Sequence, residues 1–171
     1  MSIPLASADD LVARNRSRGV AVDTALLMLL AVGQYERGYI SKFKRTAQYS
    51  DEDYDILNRF LGGFNRLILS PHVLCEASNQ SFQIPQARLG SYLGHFLSLI
   101  SKLEEVYVPK ESIITNSYVR RLGVTDTGLI ISCVERGCLL LTTDRTLVGL
   151  ARKEGVDVFH FDEIRGYNWF S

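Results

Sequence analysis

The chain is poor in the features that mark most specialised protein classes. It has three cysteines, four prolines, two methionines and one tryptophan in 171 residues. An odd, small set of cysteines without ligand-like spacing excludes a disulfide framework and a zinc ribbon. Cys75, Cys133 and Cys138 each lie in apolar stretches, so they are expected to be buried reduced thiols. No long apolar run is present. The most hydrophobic stretch, Val20 to Val32, is interrupted by Asp23 and is too short to cross a bilayer, and the first nineteen residues lack the apolar centre of a secretory signal. A cytoplasmic protein without a membrane partner is expected. Charge of one sign is lacking as well, since 19 basic residues balance 19 acidic ones. A protein that coats nucleic acid non-specifically would be clearly basic. There is no Walker loop and no Gly-x-Gly-x-x-Gly, which argues against a nucleotide-cofactor enzyme. The histidines, His72, His95 and His160, have no carboxylate–histidine–nucleophile context and read as structural.

What is present is an ordinary hydrophobic fraction, 46%, in a chain of one-domain length. Residues 1–19 read as a polar extension with a short helix over residues 8–16, capped by Ser7 and ended by Gly19. Residues 20–171 read as a single domain. Strands are expected at residues 20–22, 66–69, 106–108, 138–142 and 156–161. Helices are expected between them, over residues 24–35, 51–61, 71–80, 89–103, 112–121, 126–136 and 145–154. Ser50, Ser70 and Thr125 serve as caps, and Gly62, Gly137 and Gly155 as stops. Strands alternating with helices predict an α/β fold with a parallel sheet of about five strands and helices on both faces. The helix over residues 89–103 carries apolar residues enough for the core and for a homodimer face.

Against this frame four acids stand out. Asp23 follows Val20-Ala21-Val22, and Asp144 follows Leu139 to Thr143. Glu76 lies shortly after Leu67-Ile68-Leu69, and Asp126 opens a helix. Residues just past the carboxyl ends of parallel strands meet in one crevice. Asp23 and Asp144 could each serve simply as a helix cap, and Asp126 as a first-turn acid. Glu76 sits mid-helix between Cys75 and Ala77 in a segment otherwise free of charge, where a buried carboxylate needs a partner. Gathered carboxylates need a cation, and hard divalent ions such as Mg²⁺ or Mn²⁺ take oxygen ligands. An acidic metal crevice without a nucleotide loop points to phosphodiester hydrolysis.

Four stretches carry a family resemblance: Val20-Ala21-Val22-Asp23-Thr24, Ser70 through Glu76, Leu122-Gly123-Val124-Thr125-Asp126-Thr127, and Leu140-Leu141-Thr142-Thr143-Asp144-Arg145. In order and spacing the chain resembles the PIN-domain family of metal-dependent ribonucleases over residues 20–161. The resemblance implies a three-layer fold of sheet order 3-2-1-4-5. It implies that Asp23, Glu76, Asp126 and Asp144 are the catalytic, metal-binding acids for Mg²⁺ or Mn²⁺, and that cleavage leaves a 5′-phosphate and a 3′-hydroxyl. Thr142 and Thr24 would border the site. For members that are toxin halves of bacterial toxin–antitoxin pairs, it also implies an antitoxin partner. The basic stretch Arg37 to Arg45 (Lys42, Lys44 and Arg45 above all) is expected either to contact RNA phosphates, with Tyr39 or Phe43 stacking on a base, or to be a solvated loop balanced by the acids at 51–55. Two other classes compete. One is a PIN-like module that docks RNA or protein without catalysis. The other is an aspartate-nucleophile phosphatase, disfavoured because position 25 is alanine rather than a second aspartate.

Overall fold

Residues 7–166 are described by the structure, a computed structural model. Helix α1 (Ala8–Asn15) opens on Ser7, whose hydroxyl accepts from Asp10 N while Asp10 reaches back to Ser7 N. Strand β1 (Val20–Val22) leads into α2 (Thr24–Tyr35). A short 3-10 turn (Arg37–Tyr39) and further turns precede α3 (Asp51–Leu61), again with a reciprocal serine–aspartate cap at Ser50. Strand β2 (Leu67–Leu69) is followed by α4 (Pro71–Ser81) and α5 (Gln86–Ile100), and β3 (Glu104–Glu105) by α6 (Lys110–Ile114) and α7 (Val119–Arg136). The chain ends through β4 (Leu139–Thr142), α8 (Arg145–Lys153), β5 (Val158–His160) and α9 (Phe161–Arg165).

All five strands are parallel, in the order β3-β2-β1-β4-β5, with helices flanking the sheet. This is the α/β fold read from the alternation of strands and helices, in the strand order that the resemblance implies. The sheet interior consists of short apolar strands, Val20-Ala21-Val22 and Leu139-Leu140-Leu141, in which every residue is buried. Parallel strands covered on both faces have no polar side to show, so their sequences read as unbroken apolar runs. Helix α2 is apolar almost all round for the same reason: from Leu26 to Val32 each side chain is 5% exposed or less. It packs against α3, α4 and α5. Each strand pair sets a register, with Val20 beside both Leu67 and Leu139.

The crossovers from β1 to β2 and from β2 to β3 step toward one edge, whereas β3 to β4 returns past β1 and continues to β5. The direction therefore reverses between β1 and β4. In open parallel sheets such a switch point leaves a crevice at the carboxyl ends of the two strands.

Helix α1 is fastened to the body at its carboxyl end. Asn15 is fully buried and donates from Nδ2 to Asp157 Oδ2 at 2.6 Å and to Leu11 O at 2.9 Å, and Arg14 pairs with the same aspartate.

Several expectations change. The third strand forms at Glu104–Glu105 rather than 106–108; Val106 and Val108 are buried after it, with Val106 N still donating to Leu69 O at 2.9 Å. The region expected as one helix over 112–121 divides into α6 and the first turns of α7. Helix α7 breaks at Gly123 rather than starting from a cap at Thr125. Helix α9 is additional. Cys133 and Cys138 are buried, but Cys75 is exposed on the outer side of α4. The aromatic C-terminal stretch Tyr167 to Phe170, expected to pack onto the body, lies outside the described residues. No helix among the described residues is long and apolar enough to cross a membrane.

Candidate functional site

At the switch point, Asp23 is the first residue after β1 and caps α2. Its Oδ1 accepts from Leu26 N at 2.9 Å. Its Oδ2 accepts three donors from the end of β4: Thr142 Oγ1 at 2.7 Å, Thr143 N at 2.7 Å and Thr143 Oγ1 at 3.0 Å. The helix-cap reading of Asp23 is thus correct, and incomplete. The second oxygen ties β1 to β4 across the switch point, and the side chain is only 6% exposed.

Asp144 caps α8 in the same manner. Its Oδ1 accepts Thr146 N at 2.6 Å and Leu147 N at 3.2 Å. Thr142, fully buried, stands between the two acids. Its hydroxyl donates to Asp23 and accepts the Asp144 N–H at 3.1 Å.

Glu76 comes from the second turn of α4, which starts at Ser70 immediately beyond β2. It is half-buried and accepts a long bond, 3.4 Å, from Gln80 Nε2 one turn on. Asp126 follows the break in α7. Gly123 there has φ +79 and ψ −179, a backbone conformation open in practice only to glycine, and it redirects the chain so that Leu122 to Asp126 form one wall of the crevice.

Together Asp23, Glu76, Asp126 and Asp144, with Thr24, Thr142 and Thr143, line one cavity of about 340 Å³. No lysine or arginine is among its lining residues. The electrostatic consequence falls on Asp126, which has no hydrogen-bond or ion-pair partner among the described residues. Burial first, then the charges of Asp23, Asp144 and Glu76, push its carboxyl up to about 6. Like charges that share a site disfavour one another's ionisation, and a cation reverses that.

The donor set is all oxygen and all anionic, which suits a hard divalent cation. Among the described residues, no group of three or more histidine, cysteine, aspartate or glutamate side chains is drawn together tightly enough to hold a metal ion as arranged. Asp23 and Asp144 are fixed by their caps, whereas Asp126 and Glu76 are the less tethered pair.

Behind the crevice, His160 supports the threonine pair. Its Nδ1 accepts Asp162 N at 3.1 Å, so the ring proton is on Nε2 and donates to Thr143 O at 2.8 Å. The imidazole thus links the end of β4 to the start of α9, a structural part of the kind read from the sequence. Tyr49 lies near the same threonine. Burial pushes its hydroxyl pKa up, and the Asp23 charge adds to this. Neither Tyr49 nor Thr143 was singled out in the sequence. Thr143 could have been found between Thr142 and Asp144, but nothing local marks Tyr49.

The basic stretch is placed elsewhere. Lys42, Lys44 and Arg45 are exposed and line no part of the crevice, and Arg45 Nε donates to Gln83 Oε1 at 2.8 Å. Tyr39 and Phe43 are buried and stacked on each other, ring centroids 6.0 Å apart, with Arg88 over Tyr39. They are core residues and are not free to stack on a base. Arg37 pairs with Asp55 of α3 at 2.8 Å, in keeping with a loop balanced by that acidic helix.

No family model matches the chain, and no curated protein matches it. Among solved structures it is similar to the crystal structure of PAE2754 from Pyrobaculum aerophilum, with a TM-score of 0.54 and 15% identity. The match covers 85% of this chain and 91% of that one. At this identity the likeness is one of fold.

Proposed function

We propose that the protein is a divalent-metal-dependent ribonuclease of PIN-domain type, hydrolysing RNA phosphodiester bonds at the crevice between β1 and β4. One observation carries this reading. Four carboxylates from four separate segments line a single cavity at the sheet's switch point, with no basic side chain among its lining residues. Asp23, Asp126, Glu76 and Asp144 would hold Mg²⁺ or Mn²⁺, which supplies an activated water and charge neutralisation for phosphodiester hydrolysis.

The chain's own contribution is positioning. Asp23 is fixed by four bonds and Asp144 by two, so both present their carboxylates without reorganisation. Asp126, whose carboxyl is pushed up to about 6 by burial and by the other three acids, is the acid whose ionisation a bound cation would favour most. Thr24 and Thr142 line the cavity as polar, uncharged neighbours. The wider resemblance to the toxin halves of toxin–antitoxin pairs would add an antitoxin protein as partner.

The second reading, a docking module without catalysis, draws on the saturation of Asp23, whose Oδ2 already accepts three protein donors. The two readings separate in one experiment. End-labelled mixed RNA is incubated with purified protein in Mn²⁺, Mg²⁺ or EDTA, alongside Asp126→Asn. Metal-dependent cleavage that vanishes in the folded variant supports the nuclease. A folded wild-type protein that neither cleaves nor binds Mn²⁺ sinks it in favour of the docking module.

A further inference from the structure

Beside the acidic crevice runs a second, shallow groove of opposite character. It is lined by Arg121, Arg145, Thr146, Gly149, Leu150 and Lys153, encloses about 320 Å³ and has no acid among its lining residues. Both of its walls continue walls of the crevice. Arg121 adjoins Leu122 at the start of the Leu122–Asp126 wall, and Arg145 adjoins Asp144. Arg145 and Lys153 lie eight residues apart on α8, about 12 Å along its axis, so the groove leads away from the crevice along that helix.

These cations are available. Arg121 and Lys153 are exposed and take part in no ion pair among the described residues. Arg145 gives one guanidinium nitrogen to Asp162 at 3.0 Å, yet its side chain is 77% exposed. Three like charges around one groove repel one another unless an anion lies among them. By contrast, Arg152 on the same helix is engaged by Glu163, and Arg14 and Arg37 have aspartate partners.

We infer that this groove is the RNA track: Arg121, Arg145 and Lys153 bind backbone phosphates of a single strand adjoining the phosphate placed in the crevice. The inference rests on the nuclease reading and gives it a binding surface. A crevice of four carboxylates repels RNA, and a chain of zero net charge exerts no general pull. Affinity for a polyanion must then come from a local basic surface, and this one shares its walls with the crevice. Lys42, Lys44 and Arg45, the basic residues most conspicuous in the sequence, line neither cavity.

The test is binding of a short fluorescein-labelled single-stranded RNA of mixed sequence to the full chain, by anisotropy in EDTA across a range of KCl. Compared are wild type, Arg121→Ala with Lys153→Ala, and Lys42→Ala with Lys44→Ala as a charge-matched control. The groove variant is expected to bind roughly tenfold more weakly at low salt. Two lost phosphate contacts should also lower its log Kd against log salt slope by about 1.4. The control should stay near wild type, and Arg121→Lys with Lys153→Arg should recover most of the affinity at an unchanged melting temperature. Equal losses in the groove variant and the control, or no loss in either, overturn the track. In that event metal-dependent cleavage that still requires Asp126 would leave the nuclease reading standing. Wild-type protein that binds no RNA under any of these conditions overturns the track outright, and the cleavage assay then decides the nuclease reading separately.

Discussion

Thr142 Oγ1 lies 2.7 Å from Asp23 Oδ2 and 3.1 Å from the backbone nitrogen of Asp144. One buried hydroxyl thus joins the acid that follows β1 to the acid that follows β4, donating to the first and accepting from the second. Because Val22 is in register with Leu141, the two strands present their next residues to each other at the same level. The threonine therefore ties the Asp23 carboxylate to the backbone of Asp144.

Replacing this residue separates shape from hydrogen bonding. Thr142→Val keeps the volume and removes the donor, leaving a buried carboxylate and a backbone N–H short of a partner. The expected loss of stability is about 1–3 kcal/mol. Thr142→Ser keeps the hydroxyl and should lose less than half as much. Urea unfolding of the three proteins checks this. A valine variant as stable as the wild type would mean that water replaces the hydroxyl at no cost.

Asp126 gives a pH signature whose sign is fixed by its environment. Its pKa is near 4 in the unfolded chain and about 6 in the folded one. Between those values the native state binds a proton that the unfolded state releases, so stability falls as pH rises through the window. The cost is absent below about pH 4 and fully present above about pH 6. Asp126→Asn removes the titration. It should match the wild type at pH 4 and exceed it at pH 7.5 by about 1–2 kcal/mol, allowing for solvent screening at a partly exposed site. Thermal melts across this range test it, and a gap that does not change with pH would contradict it.

Gly123 is held at φ +79 and ψ −179, where a side chain is strained although space is open around it. Gly123→Ala should cost about 1–3 kcal/mol and displace the wall from Leu122 to Asp126. Its melting temperature should fall even at pH 4, which distinguishes backbone strain from carboxylate repulsion. An alanine variant with unchanged stability would show that the break in α7 can move.

Much of this arrangement is legible in the sequence, because short apolar runs followed by acids specify buried strands that end at a polar crevice. Ser50, Ser70, Gly137 and Gly155 mark helix ends through local chemistry alone. The misplacement of β3 has a tertiary cause. Val106 and Val108 look like a strand, but the ladder to β2 is made by Glu104 and Glu105. Those are residues of an edge strand, with Glu104 held by Arg136 at 2.9 Å and Arg66 at 3.5 Å. The sequence leaves the basic loop between two readings for a similar reason. Lys42 and Lys44 are conspicuous in sequence, yet burial of Tyr39 and Phe43 sets where that loop lies. Arg121, Arg145 and Lys153 are scattered through the chain, and only packing brings them to one groove. Tyr49 is likewise invisible until the turns before α3 bring it against Phe161, centroids 6.0 Å apart.

Divalent cations should stabilise the folded chain, in proportion to the ionisation of Asp126. A ligand at a hundred times its Kd adds about 2.7 kcal/mol. For a chain of this size that raises the melting temperature by roughly 5–10 °C. Four carboxylates bind a cation best when all are ionised, and Asp126 takes up its proton as pH falls through about 6. The Mn²⁺-induced shift should therefore be large at pH 7.5 and small at pH 5, and EDTA should reverse it. Asp126→Asn, already relieved of one negative charge, should show a reduced shift at pH 7.5 and little further change on acidification. Thermal melts of both proteins, with Mn²⁺ or EDTA at each pH, provide the measurement. If Mn²⁺ raised the melting temperature equally in the two proteins and at both pH values, the cation would be binding away from this crevice, and the metal-dependent reading of the four acids would fail.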